Sequence, residues 1–167
     1  MTLSTHMIVG TAVASLFPNN PALGFGAAFL SHFVLDTIPH WDYAIAMKNG
    51  SSDIKDMDIE FNKSFVKSFV KISSDVALGF IISLILIFTL HFSSWPALMA
   101  GCLGGMMPDF LQLVYMKFKH EPFLSLQKFH RWIQKDRGYK IKNPVFGVLT
   151  QIIVVFFVVW MIYLYVR

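Results

Sequence analysis

The sequence predicts an all-α, polytopic membrane protein of about five transmembrane or membrane-embedded helices with an interfacial amphipathic helix. Hydrophobic residues make up 55% of the 167 positions and charged residues only 14%, and the mean hydropathy is +0.56, outside the balance of a soluble domain. The apolar residues gather into five runs of near-spanning or spanning length. Lys and Arg fall almost entirely in two segments between those runs, the asymmetry that membrane insertion produces.

The first two runs, Leu3 to Phe17 and Ala22 to Ile38, read as a helical hairpin over residues 1–38, joined by the tight turn Phe17-Pro18-Asn19-Asn20-Pro21. Both fall short of the ~20 residues that cross a bilayer, so the hairpin is expected to tilt or to enter the bilayer only partway. No basic n-region or small-residue cleavage motif marks the start as a removable signal peptide. Residues 39–74 read as a cytoplasmic loop followed by an interfacial helix. Asp53, Asp56, Asp58 and Glu60 lack the Gly and the spacing of a calcium loop and read as a solvated connector. The repeat "KSFVKSFVK" then places Lys63, Lys67 and Lys71 on one helical face and Phe61, Phe65 and Phe69 on its neighbour. Anionic headgroups would attract the lysines while the phenylalanines sink toward acyl chains. The competing reading is a downward extension of the third span with snorkelling lysines.

A second hairpin covers residues 75–116, its runs being Asp75 to Phe92 and Trp95 to Met116, with Gly101-x-x-Gly104-Gly105 marking close helix packing. A basic cytoplasmic segment occupies 117–143, and a C-terminal transmembrane helix fills 144–167, where Val145 to Tyr165 holds no charged residue.

Orientation follows from the basic residues. Lys48, Lys55, Lys63, Lys67 and Lys71 fall in 39–74; Lys117, Lys119, Lys128, Arg131, Lys135, Arg137, Lys140 and Lys142 fall in 117–143; only Arg167 is left over. The connectors Pro18 to Pro21 and His91 to Trp95 contain none. The expected topology has a cytoplasmic N-terminus, five crossings and an external C-terminus, in a bacterial inner membrane or plasma membrane. The formal charge of +4 is thereby explained without nucleic acid, for which no motif exists. Membrane lipids are the expected partners, and the oligomeric state is open. Cys102, the single cysteine, excludes an intrachain disulfide and a multi-cysteine zinc site and reads as a packing residue.

On this topology the ionisable groups of the apolar runs converge on one leaflet. His6 lies at the inner end of the first helix, and His32 and Asp36 at the inner end of the second. Asp75 opens the third, Asp109 lies toward the inner end of the fourth, and His130 follows in the basic segment. An isolated charge costs at least ~2.5 to 3.5 kcal/mol in hydrocarbon, so such groups pair, line a wet cavity or share a cation. His32, Asp36 and His40 follow at i, i+4 spacing on one face, and Pro39 frees His40 to Asp42 to turn back. Neutral imidazole nitrogen and anionic carboxylate oxygen suit a divalent ion, zinc first, with manganese and iron as alternatives. The expected ligands are His6, His32, Asp36, His40, Asp109 and His130, with Asp75 or Asp42 orienting or deprotonating a water. For His32 and Asp36 the competing role is an interhelical polar contact, for Asp75 a helix N-terminal charge, and for His6 an interfacial residue.

These features resemble the membrane-bound metal-dependent hydrolase family of the YdjM type, bacterial inner-membrane proteins. The matching residues are Thr5-His6, the Gly-rich run ending in Pro108-Asp109, His130-Arg131, and "PHWD" at Pro39 to Asp42 as a variant of the family's Pro-Asp-x-Asp-His element. His40 stands where an Asp is usual, Tyr43 where a His is usual, and Trp132-Ile133-Gln134 replaces a further Thr-His. The resemblance implies a hydrolase without naming its substrate.

Two functions follow as expectations. One is a metal-dependent hydrolase that uses a metal-activated water at the cytoplasmic leaflet on an amphiphilic, phosphate-containing lipid, the nearby lysines and Arg131 favouring the phosphate. The other is a non-enzymatic membrane protein with a structural polar or metal site between helices and a basic partner- or lipid-binding face. A proton or cation pathway is disfavoured by the almost purely apolar outer halves of the helices. No Gly-x-Ser-x-Gly elbow, phosphate loop, dinucleotide fingerprint or HExxH helix is present.

Overall fold

A computed structural model of the chain describes residues 1–43, 58, 62–90, 95–136 and 141–166. The described residues are helical, in the order α1 (Leu3–Ala14), α2 (Pro21–Asp36), α3 (Lys63–Leu90), α4 (Trp95–Phe118), α5 (Phe123–Asp136) and α6 (Pro144–Val166). Most of the acidic connector and the His91 turn lie outside the described residues.

Asparagine starts three of these helices. Asn20 Oδ1 accepts from the Leu23 N–H at 3.0 Å, Asn62 Oδ1 from the Ser64 N–H at 2.9 Å, and Asn143 Oδ1 from the Val145 N–H at 2.9 Å. Each side chain satisfies a backbone donor that has no partner within its own helix, and Pro21 and Pro144 follow two of them at the first helical position.

Three of the helices, α3, α4 and α6, are long and apolar enough to cross a membrane. Length supports three of the five expected crossings and not the two of the first hairpin. With 12 and 16 residues, α1 and α2 reach only ~18 and ~24 Å at 1.5 Å per residue, against a hydrocarbon core of ~30 Å. The interfacial helix expected at 62–71 is also corrected: these residues are the first turns of α3, which runs unbroken to Leu90. No breaker interrupts Ile72-Ser73-Ser74-Asp75, and the Ser74 hydroxyl donates to the Val70 carbonyl at 2.8 Å and stays within the helix. A separate helix with one buried and one exposed face does exist, in the basic segment 117–143. It is α5.

The short helix α1 forms the centre, packing against α2, α3, α4 and α6. It is apolar on every side, and three small cores meet it. Ile8 and Ala12 face Val159 and Ile162 of α6; Val9 meets Met1 and Leu35; Met7 packs with Leu98 and Cys102 of α4. Cys102 is a buried packing residue, its sulfur 3.4 Å from the Thr11 hydroxyl. Glycine lets α4 approach. A Cβ at Gly101 would strike the Thr11 backbone, one at Gly105 the His6 carbonyl, and one at Gly104 would lie 2.5 Å from the Phe25 carbonyl. The outward surface is as apolar as the interior: Phe146, Ile153, Phe156 and Phe157 of α6 are 63% to 68% exposed. A face of that kind is stable against acyl chains and not against water.

One polar residue in the most apolar helix was not anticipated. Gln151 of α6 is buried, and its Oε1 accepts from the Thr2 N–H at 2.9 Å and from the Thr2 and Thr5 hydroxyls at 3.0 Å each. Its Nε2 donates to the Trp41 carbonyl at 2.8 Å. This amide pins the start of α1 and the segment after α2 to the same turn of α6. Gln151→Leu leaves the partly buried Thr2 N–H without its acceptor, and a loss of about 1 kcal/mol is expected, readable as a lowered Tm in detergent.

Candidate metal centre

Four helices bring their ionisable groups to one end of the bundle. His6 stands in the first turn of α1, His32 and Asp36 on the last turns of α2, Asp109 in the second half of α4, and His130 on α5. His40 returns to them from the segment after Pro39, held there by an Ile141 N–H to His40 carbonyl bond of 2.9 Å.

Asp36 is the hub. Its Oδ1 lies 2.8 Å from the Met1 amino nitrogen, 3.2 Å from His6 Nε2 and 3.8 Å from His40 Nε2. Its Oδ2 lies 3.0 Å from His130 Nε2, 3.4 Å from His32 Nε2 and 3.0 Å from Gln134 Nε2. Asp109 Oδ1 completes the group at 3.7 Å from both His32 and His130 Nε2. Two ligand sets with all donor atoms within 4.8 Å result, His6–His32–Asp109 and His32–Asp36–His130. All six expected ligands therefore lie in or beside one cluster.

Hydrogen bonding fixes which way the imidazoles present their lone pairs. His32 Nδ1 is 2.8 Å from the Gly105 carbonyl and His40 Nδ1 is 2.7 Å from the Ile38 carbonyl. A carbonyl only accepts, so each Nδ1 carries the hydrogen, and in the neutral ring each Nε2 is a bare acceptor. The bare nitrogens face Asp36, itself an acceptor. His130 Nε2 is overcommitted, meeting the carboxylate at 3.0 Å, the Gln134 amide nitrogen at 3.0 Å and His32 Nε2 at 3.3 Å. A ring nitrogen has one hydrogen or one lone pair, and cannot serve all three. His6 stacks on His32 with centroids 3.7 Å apart, and among the described residues neither of its ring nitrogens has a hydrogen-bond partner. The Met1 amino group and the Gln134 amide each give Asp36 a donor, but the histidine lone pairs exceed these donors, an excess that a cation reconciles, and the Nδ1 bonds to backbone carbonyls are the outer support typical of metal-bound histidine.

The side chains of His6, His32, Asp36 and His130 are 0–2% exposed, whereas that of Asp109 is 27% exposed and is the member of the cluster nearest the surface of the described residues.

Asp75, expected to handle the water, is committed elsewhere. Its Oδ2 accepts from the Leu3 N–H at 2.7 Å, the Ser4 N–H at 3.3 Å and the Tyr43 hydroxyl at 3.0 Å, and it belongs to neither ligand set. The carboxylate caps α1 from a neighbouring helix, three turns inside α3 rather than at its start. Asp42 lies partly buried beside it in sequence to Tyr43 and is likewise in neither set. Asp75→Ala is expected to cost about 1 kcal/mol, as loss of a helix cap does, with metal content per chain unchanged. Burial and then the Asp75 carboxylate push the Tyr43 phenol well above its ordinary value of 10. Above that pH the unfolded chain sheds this proton while the folded chain keeps it, so the stability that Tyr43 contributes at neutral pH declines as pH rises past 10. A Tm series across that range is expected to fall more steeply for the wild type than for Tyr43→Phe.

The comparisons identify no relative: the chain matches no family model, no curated protein and no solved structure.

Proposed function

We propose that this protein is a membrane-embedded metal-dependent hydrolase whose site opens at the cytoplasmic leaflet and acts on an amphiphilic, phosphate-bearing lipid. The observation that carries this is the tautomer geometry: His32 and His40 spend their hydrogens on backbone carbonyls and turn bare nitrogens toward the same carboxylate. His32, Asp36 and His130 would hold the cation, with His6, His40 and Asp109 beside them, and zinc suits this nitrogen-rich donor set best. A divalent cation there supplies a water acidic enough to deliver hydroxide near neutral pH. Asp109 is the group suited to take up the proton, since its Oδ1 lies 3.7 Å from His32 and His130 while its side chain is partly exposed. This transfers to Asp109 the base role that the sequence suggested for Asp75 or Asp42. Exposed Lys117, Lys119 and Lys128 near that end favour a phosphate headgroup. The basic residues also favour the cytoplasmic placement, with α1 and α2 as a partly inserted hairpin.

A structural polar knot is the second reading, favoured by the Met1 amino group 2.8 Å from Asp36, which already balances part of its charge. Elemental analysis of detergent-purified chain, together with hydrolysis of lipid-phosphate and chromogenic phosphodiester substrates, separates the two. The hydrolase reading expects bound zinc, and turnover that disappears in His32→Ala. Metal-free protein, or turnover that survives that change, overturns it.

A further inference from the structure

The helix α5 has two faces with different commitments. Gln127, His130 and Ile133 point inward and are 1–5% exposed, while Phe129 and Trp132 point outward at 45% and 46%. The two outward rings lie 6.0 Å apart and form one aromatic patch, flanked on its own helix by exposed Lys128. Lys117, Phe118 and Lys119, all exposed at the end of α4, extend the same pattern of basic and aromatic side chains. With 14 residues, α5 is about 21 Å long, too short to span and suited to lie along a surface.

Resting on the metal reading above, we infer that the outer face of α5 seats in the headgroup layer of an anionic bilayer, and that this seating delivers His130 and Gln134 to the site. The membrane surface then sets the metal affinity. Charge and apolarity together select the occupant: phosphate headgroups meet the lysines, and the adjoining acyl boundary takes the aromatic pair, a combination that water does not satisfy. The coupling is mechanical. Phe129 touches Phe33 at a ring distance of 5.0 Å and His130 meets the same ring at 5.5 Å, so the residue that faces lipid and the residue that faces Asp36 are adjacent on one rigid helix. The other donors on helices come from α1, α2 and α4, which glycine contacts lock together, whereas among the described residues α5 packs mainly on α4 and α2. By linkage, whatever factor lipid seating adds to metal affinity, metal adds to lipid seating.

The test is zinc titration of the full chain in three settings: phosphatidylcholine discs, discs that also contain phosphatidylglycerol, and detergent. Wild type is expected to bind zinc about ten-fold more tightly in the anionic discs than in detergent, and Trp132→Glu to lose that gain. Quenching by brominated lipid reads α5 directly, as the fluorescence difference between wild type and Trp132→Phe, and is expected to place the indole at the headgroup boundary. Equal zinc affinity for wild type and Trp132→Glu in anionic discs, or an unquenched Trp132, overturns the inference. So does a dimer that Trp132→Glu dissociates, which would make a second copy the occupant. Wild type that binds no zinc in any setting defeats the metal reading instead, and the quenching result still decides whether α5 meets lipid.

Discussion

Asp36→Asn is expected to empty the centre. The substitution keeps the shape of the side chain and removes the one anion that all four histidines of the cluster approach, including His130 at 3.0 Å and His6 at 3.2 Å. An amide oxygen is a far weaker ligand for a divalent ion than a carboxylate, and the amide nitrogen adds a donor among groups that need a cation. Metal measured per chain should fall to background, and turnover with it. His32→Ala should follow, because its nitrogen belongs to both ligand sets. On the proposed mechanism Asp109→Asn should behave differently: the His32–Asp36–His130 set keeps its metal, while the rate falls by the 10²- to 10⁴-fold typical of a lost general base. Metal that stays with Asp36→Asn at wild-type stoichiometry would remove the hub from the centre.

Gly101→Val is expected to be the most damaging change outside the centre. Its new side chain meets Thr11 backbone atoms, which cannot rotate away as a side chain would. Overpacking typically costs about 1–3 kcal/mol and occasionally more; against rigid backbone the upper end is expected, and the clash also drives α4 from α1, separating Asp109 from His6. Loss of Tm and loss of metal should appear together. Gly26→Ala is the control, because a Cβ there meets nothing within 4 Å. It should be neutral or stabilising by about 0.5–1 kcal/mol, as a helix gains from trading glycine for alanine. Thermal unfolding followed by tryptophan fluorescence compares the two.

Much of this was legible in the sequence, for physical reasons that differ from residue to residue. The long runs of α4 and α6 are visible because an apolar span repeats one signal over many residues. His32, Asp36 and His40 were legible because i, i+4 spacing places side chains on one face, and the glycine run because small residues have few other uses between helices. What escaped lay in tertiary context. Whether 62–71 forms its own helix or joins α3 depends on the absence of a breaker, and periodicity is blind to that. Asp75 was assigned to chemistry, and only three-dimensional proximity reveals the α1 backbone it caps. Gln134, four residues after His130, and Gln151, a lone amide in an apolar helix, carried a detectable signal: polar groups in such positions need partners. Which partners they take is a matter of distance in space.

The burial of α1 among α2, α3, α4 and α6 has a consequence for biogenesis. In chain order α1 precedes the helices that bury it, and the Thr2 contact with Gln151 awaits a residue 149 positions later. The packing of α1 is therefore completed only when later helices have built the socket into which it settles.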